Sequence, residues 1–181
     1  MTGVQTCALP IWIVSDDRAT GTVRFLFSKP VSLTAYYVQQ WIVNGVALVA
    51  IAGILGTAWQ AATVPQHVGG LMTTMAMAWV MLGGVGFLIS VLTNADLLAI
   101  AGVYLGTALL RGLCDLPASP LPAWLRQATR VLPPTQKLDF VRDQLLAGAG
   151  IPWTHAVHVL LYGAGAFLLG LVVLRRTSLV R

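Results

Sequence analysis

The chain has 181 residues, 57% of them apolar and only 9% charged, with a formal net charge of +5. Soluble domains carry about 25% charged residues, so the composition excludes an ordinary globular domain. The cations flank apolar runs and do not form a patch, which also excludes a nucleic-acid-binding domain. No Asp, Glu, Lys or Arg lies between Lys29 and Asp96, or between Asp143 and Arg175. Uncharged tracts of that length match a lipid solvent. With two cysteines, Cys7 and Cys114, neither a disulfide framework nor a metal site is readable.

The first stretch, MTGVQTCALPI over residues 1–11, lacks the Lys or Arg of a signal peptide and is interrupted at Pro10. Next, Ser15, Asp16 and Asp17 suit a helix start, and Val23, Leu26 and Phe27 fall on one helical face. Lys29-Pro30 ends that helix, because Pro lacks the N–H and disfavours helix in the residue before it. Ser32 is then placed to cap the helix that enters the membrane.

Four spans are predicted, at about 38–58, 70–92, 95–113 and 154–174. In the first, Tyr36, Tyr37 and Trp41 at one end and Trp59 at the other are placed as interfacial aromatics. Trp41 and Trp59 are 18 positions apart, roughly 27 Å in a helix, near the ~30 Å hydrocarbon thickness. Pro65, Gly69 and Gly70 read as helix breakers before the second span. Residues TNAD separate the second span from the third, leaving an antiparallel hairpin, with Asn94 and Asp96 at its N-terminus and Arg111 near its end.

Residues 114–153 form a proline-divided loop with two short amphipathic segments. One has Trp124, Leu125, Ala128, Val131 and Leu132 on a face. The other has Leu138, Val141 and Leu145, with Thr135 as its expected N-cap. The fourth span is expected to stop at Arg175 and Arg176. An even number of spans puts residues 12–37 and the tail on one side. Those two segments hold six Lys or Arg against four in the long loop, which favours a cytoplasmic placement for both.

Residues 13–37 also carry a resemblance. Asp16-Asp17, Gly21-Thr22, Phe25-Leu26-Phe27 and Pro30-Val31-Ser32 resemble the cytoplasmic segment of type-2 ABC transporter permeases, the ABC-2 family of membrane subunits. The loop order from residue 12 to residue 181 is similar to that family's as well. The chain departs from it in having no Glu and in placing Leu33-Thr34 where the family often has Arg or Lys.

The resemblance implies an all-α polytopic permease of six spans, four of which are present, in a bacterial or archaeal plasma membrane. Residues 12–37 would join the end of a lost span to a coupling helix that docks on a separate ABC ATPase. Residues 38–181 would be the transmembrane domain, with 114–153 as an outer loop, paired with a second permease copy. The coupling segment comprises Asp16, Asp17, Gly21, Thr22, Arg24, Phe25, Phe27, Lys29 and Pro30. Arg24 and Lys29 would meet acidic groups of the ATPase, lipid phosphate being the plainer alternative. Phe25 and Phe27 read equally as membrane anchors or as knobs for the ATPase. ATP and Mg would be bound by the partner and no cofactor by this chain. Residues 1–11 resemble the translation of a common sequencing adapter and are expected to be foreign to the protein.

Other residues support blander readings. Gly102 and Gly106 form a GxxxG that permits close helix approach. His155 and His158 have the spacing of two metal ligands without a third, which favours a capping or interfacial role. Arg111 and Asp115 suit a structural ion pair. Gly83, Gly84 and Gly86 follow no strand, so they are no dinucleotide loop. No catalytic residue is assigned, since the chain lacks HExxH, GxSxG, paired carboxylates within a span and the Walker lysine motif. An intramembrane enzyme and a non-transporting scaffold stay open as alternatives.

Overall fold

The computed structural model describes residues 32–63, 67–93, 96–114 and 132–178. They form five helices and no strand: α1 (Leu33–Ala62), α2 (Val68–Leu92), α3 (Asp96–Cys114), α4 (Thr135–Leu146) and α5 (Trp153–Ser178). Among the described residues, three helices are long and apolar enough to cross a membrane, over Thr34–Ala62, Val68–Leu92 and Trp153–Arg176. The all-α expectation therefore holds, with three helices of membrane-spanning length and apolarity. The remaining predicted span coincides with α3, a 19-residue helix that is not among those three. Residues 1–31, with the whole predicted coupling helix, and residues 122–131 of the first amphipathic stretch lie outside the described residues.

α1 starts five residues before its predicted span because Ser32 works as the expected cap. Its backbone is extended, and its side chain accepts a hydrogen bond from the Ala35 N–H at 3.2 Å. Inside the helices the threonine hydroxyls bond their own backbone. Thr74 donates to the Gly70 carbonyl at 2.8 Å and Thr107 to the Val103 carbonyl at 2.6 Å. In lipid, which offers no water partner, this local bonding satisfies each hydroxyl.

Two boundary expectations need correction. Gly69 and Gly70 lie in the first turn of α2 and do not break it. First-turn N–H groups lack a helical partner anyway, so glycine disturbs little there. The fourth apolar stretch ends at Arg175 and Arg176 as expected, while α5 itself runs on to Ser178; cations in a last turn favour the helix dipole. Pro134, and not Thr135, occupies the cap position of α4, since its carbonyl already accepts from the N–H groups of Lys137 and Leu138 at 3.1 and 3.2 Å.

α2 is the centre of the bundle. It packs most extensively on α5, then on α1 and α4, and least on α3. The α2–α5 crossing is close enough to be backbone on backbone. A Cβ on Gly84 would overlap the Gly163 carbonyl oxygen, and one on Gly163 would overlap the Val80 carbonyl oxygen and lie 2.6 Å from the Met81 Cα. Lipid supplies no hydrophobic force between helices, so such packing is what joins them.

Two apolar clusters flank that crossing. Tyr37, Phe87, Val91, Phe167, Leu171 and Leu174 fill the end where α1 begins and α2 and α5 finish. Met77, Met81, Val141, Leu145, Ala156 and Val159 fill the other end, under α4.

Candidate functional site

The end of the bundle where α1 begins is built from aromatic rings. Trp41 stacks on Phe167 with centroids 4.7 Å apart and planes at 26°, Phe87 stands 4.8 Å from Phe167, and Tyr37 stands 5.8 Å from Phe87. Tyr37 is 1% exposed. The rings at the start of α1 thus turn inward and do not form the interfacial belt expected for Tyr37 and Trp41, whereas Trp59 remains exposed. At the rim of this cluster Arg175 donates from Nε to the Thr34 hydroxyl at 3.0 Å. That bond brings the basic last turn of α5 and the first turn of α1 to the same end of the bundle.

One turn deeper, α1 and α2 cross through two tryptophans and two glycines. Trp79 donates from Nε1 to the Trp41 carbonyl at 3.2 Å, and its indole fills the space above Gly45. Trp41 Nε1 stands 3.1 Å from where a Cβ on Gly83 would be. It is sealed from solvent and has no acceptor. An aromatic stack contributes about 0.5–1.5 kcal/mol, while a buried, unpaired donor costs about 1–3 kcal/mol. The stack on Phe167 and the unpaired Nε1 are therefore opposing terms of similar size.

The other end carries α4. Val141 is fully buried and Leu145 nearly so, with Leu138 packed beside them, which is the face the sequence pattern gives. The opposite face is exposed, and there Arg142 bonds Asp139 and Asp143, both at 3.0 Å. After α4 the chain reverses at Gly148, with φ of +74°. The Gly148 N–H reaches the Leu145 carbonyl at 3.2 Å, and the Ala149 N–H reaches the Gln144 carbonyl at 3.0 Å. This is a Schellman closure, which favours glycine. His67 fits against the same residue, its Nε2 lying 2.9 Å from a would-be Cβ on Gly148. The Leu145 carbonyl in turn sits 2.8 Å from a would-be Cβ on Gly70, so a glycine in α2 admits the end of α4.

Between the two ends a narrow cleft opens on α2 and α3, lined by Leu82, Val85, Ile89, Val103, Thr107, Pro133 and Thr135. The Thr107 hydroxyl is bonded to the Val103 carbonyl, and the lining is predominantly apolar. The cleft suits an apolar group.

The remaining sequence candidates divide into those that can be located and those that cannot. Asp16, Asp17, Gly21, Thr22, Arg24, Phe25, Phe27, Lys29 and Pro30 lie outside the described residues, as does Asp115. Among the described residues Gly102 and Gly106 have nothing within 4 Å of a would-be Cβ, whereas Gly84 and Gly163 make a backbone-on-backbone approach. His155 meets the Thr154 hydroxyl at 3.2 Å and the Phe140 ring at 4.8 Å. No group of three His, Cys, Asp or Glu fit for a metal occurs among the described residues. The Trp-x3-Gly spacing of Trp41/Gly45 and Trp79/Gly83 is visible in the sequence and signals the α1–α2 crossing.

No family model matches the chain. No curated protein and no solved structure matches it either.

Proposed function

We propose that the chain is the membrane-spanning permease subunit of an ABC transporter of the exporter kind. It would work by alternating access, with ATP and Mg held by a separate ABC ATPase and a second permease copy completing the pathway. In this reading α3 also crosses the membrane, as the third of the four spans, and residues 12–37 and the C-terminal tail face the cytoplasm of a bacterium or archaeon. The observation that carries it is the segment Gly21-Thr22…Pro30-Val31-Ser32, which runs straight into the cap of an apolar helix. The Arg175–Thr34 hydrogen bond supports it, because the segment entering α1 and the basic end of α5 are then available on one side to one soluble partner. Motion of Gly21–Pro30 would tilt α1 against α2. Apolar span surfaces, including the cleft on α2 and α3, would meet the substrate.

The test is co-purification of the permease with the ATPase encoded beside its gene, followed by Arg24→Ala and Phe25→Ala. The reading expects the complex to weaken and the permease-stimulated ATPase rate to fall at least about tenfold, as for loss of a central interface anchor. An ATPase indifferent to the permease would sink the transporter reading and favour a scaffold. Stimulation that survives both substitutions would remove the coupling role from this segment.

A further inference from the structure

The α1–α2 crossing has a local two-fold symmetry that its hydrogen bonds do not respect. On each helix a tryptophan precedes a glycine by four residues, Trp41 before Gly45 and Trp79 before Gly83. A Cβ on Gly45 would meet the Trp79 indole, and a Cβ on Gly83 would meet Trp41 Nε1. In both pairings the residue numbers sum to 124, as they must for two antiparallel helices in one register. Trp79 completes its half by donating Nε1 to the Trp41 carbonyl. The equivalent acceptor for Trp41 is the Trp79 carbonyl, one turn before the glycine on which Trp41 Nε1 rests. That bond is not made, and Trp41 Nε1 is buried without a partner. Its ring is held instead on Phe167 of α5, a residue outside the symmetric pair.

From this geometry we infer that Trp41 is a two-position switch between α5 and α2. In the first position its ring stacks on Phe167 and its Nε1 is unpaired. In the second it leaves Phe167 and donates Nε1 to the Trp79 carbonyl, which closes the α1–α2 pair symmetrically and removes the Trp41–Phe167 contact between α1 and α5. Each position satisfies one interaction and gives up another of similar size, so both are populated. Gly83 itself puts no side chain in the path of the indole, and the Trp79 ring, 3.3 Å from a would-be Cβ there, is what the indole must slide past. The inference does not depend on transport activity, and its failure would leave the transporter reading where it stands.

The full-length protein, labelled with 5-fluorotryptophan in lipid nanodiscs, provides the test by fluorine NMR. The Trp41 signal is assigned as the one lost in Trp41→Phe. The switch expects two Trp41 signals, or one averaged signal whose position depends on the balance. Phe167→Leu should shift that balance about two- to tenfold toward the hydrogen-bonded position, the factor an aromatic pair contributes. Gly83→Ala should shift it the opposite way, since the new methyl occupies the path to the carbonyl. Phe167→Met replaces Phe167→Leu should the latter fail to fold. A single Trp41 signal unmoved by both the Phe167 and the Gly83 substitution overturns the switch.

Discussion

At Gly163 a methyl group would have to enter space held by the Val80 carbonyl and the Met81 Cα, so Gly163→Ala must push α2 and α5 apart. The expected loss is about 1–3 kcal/mol, the range for an overfilled core, read as a lower Tm of the detergent-solubilised protein. Two residues on, Gly165 has none of the described residues within 4 Å of a would-be Cβ. There Gly165→Ala should be neutral or raise stability by about 0.5–1 kcal/mol, the helix penalty of glycine being removed. Equal losses at the two sites would show that the crossing is not backbone on backbone. Gly148→Ala is expected to cost about 1–2 kcal/mol, because a left-handed φ becomes strained and the His67 ring must move. Its signature is weakened protection from hydrogen exchange at the α4–α5 turn.

Among the elements, α4 depends on very little. Its buried face is Val141 and Leu145, while the exposed Arg142 pairs contribute at most a few tenths of a kcal/mol in water. Val141→Ala is therefore expected to cost about 1–3 kcal/mol and to speed hydrogen exchange across 135–146. Arg142→Ala should leave that exchange within twofold of the parent, the effect of about 0.5 kcal/mol or less for a surface substitution. Such elements were readable in the sequence to very different degrees. The apolar helices were legible because lipid demands about 20 uncharged residues in a row, and α4 because its pattern has a polar side. The faces of α2 were not legible. It is apolar all round, so no periodicity tells which side meets α5, and only the contacts single out Gly84 from Gly83 and Gly86. The inward turn of Tyr37 and Trp41 escaped for a related reason, since an aromatic ring at a span end suits an interface and a core equally. Of the site itself, the segment over 13–37 was legible as a motif, whereas the Arg175–Thr34 bond joins residues 141 positions apart and leaves no local trace.

For the molecule as a whole, large apolar side chains stand exposed on the described helices. Ile42, Val46, Ile54 and Leu55 of α1, Leu105 and Leu109 of α3, and Leu161 and Leu168 of α5 all face outward. The placement of α3 is decided by labelling in sealed vesicles, in a background of Cys7→Ser and Cys114→Ser. If α3 spans, Asp96→Cys and Leu113→Cys react with an impermeant maleimide from opposite sides. If it lies on the surface, both react from one side. Only 11% of the most apolar window of α1 is buried, against 50% for α2 and 33% for α5, so α1 is the most lightly held of the three long apolar helices. It is also the longest of the five helices: its 30 residues extend about 45 Å, well beyond the ~30 Å of hydrocarbon. A helix that is too long and lightly held answers to the thickness of the bilayer by leaning. Short-chain lipids should lay α1 over and long-chain lipids should raise it, making acyl-chain length an input to the shape of this protein alongside anything that binds it.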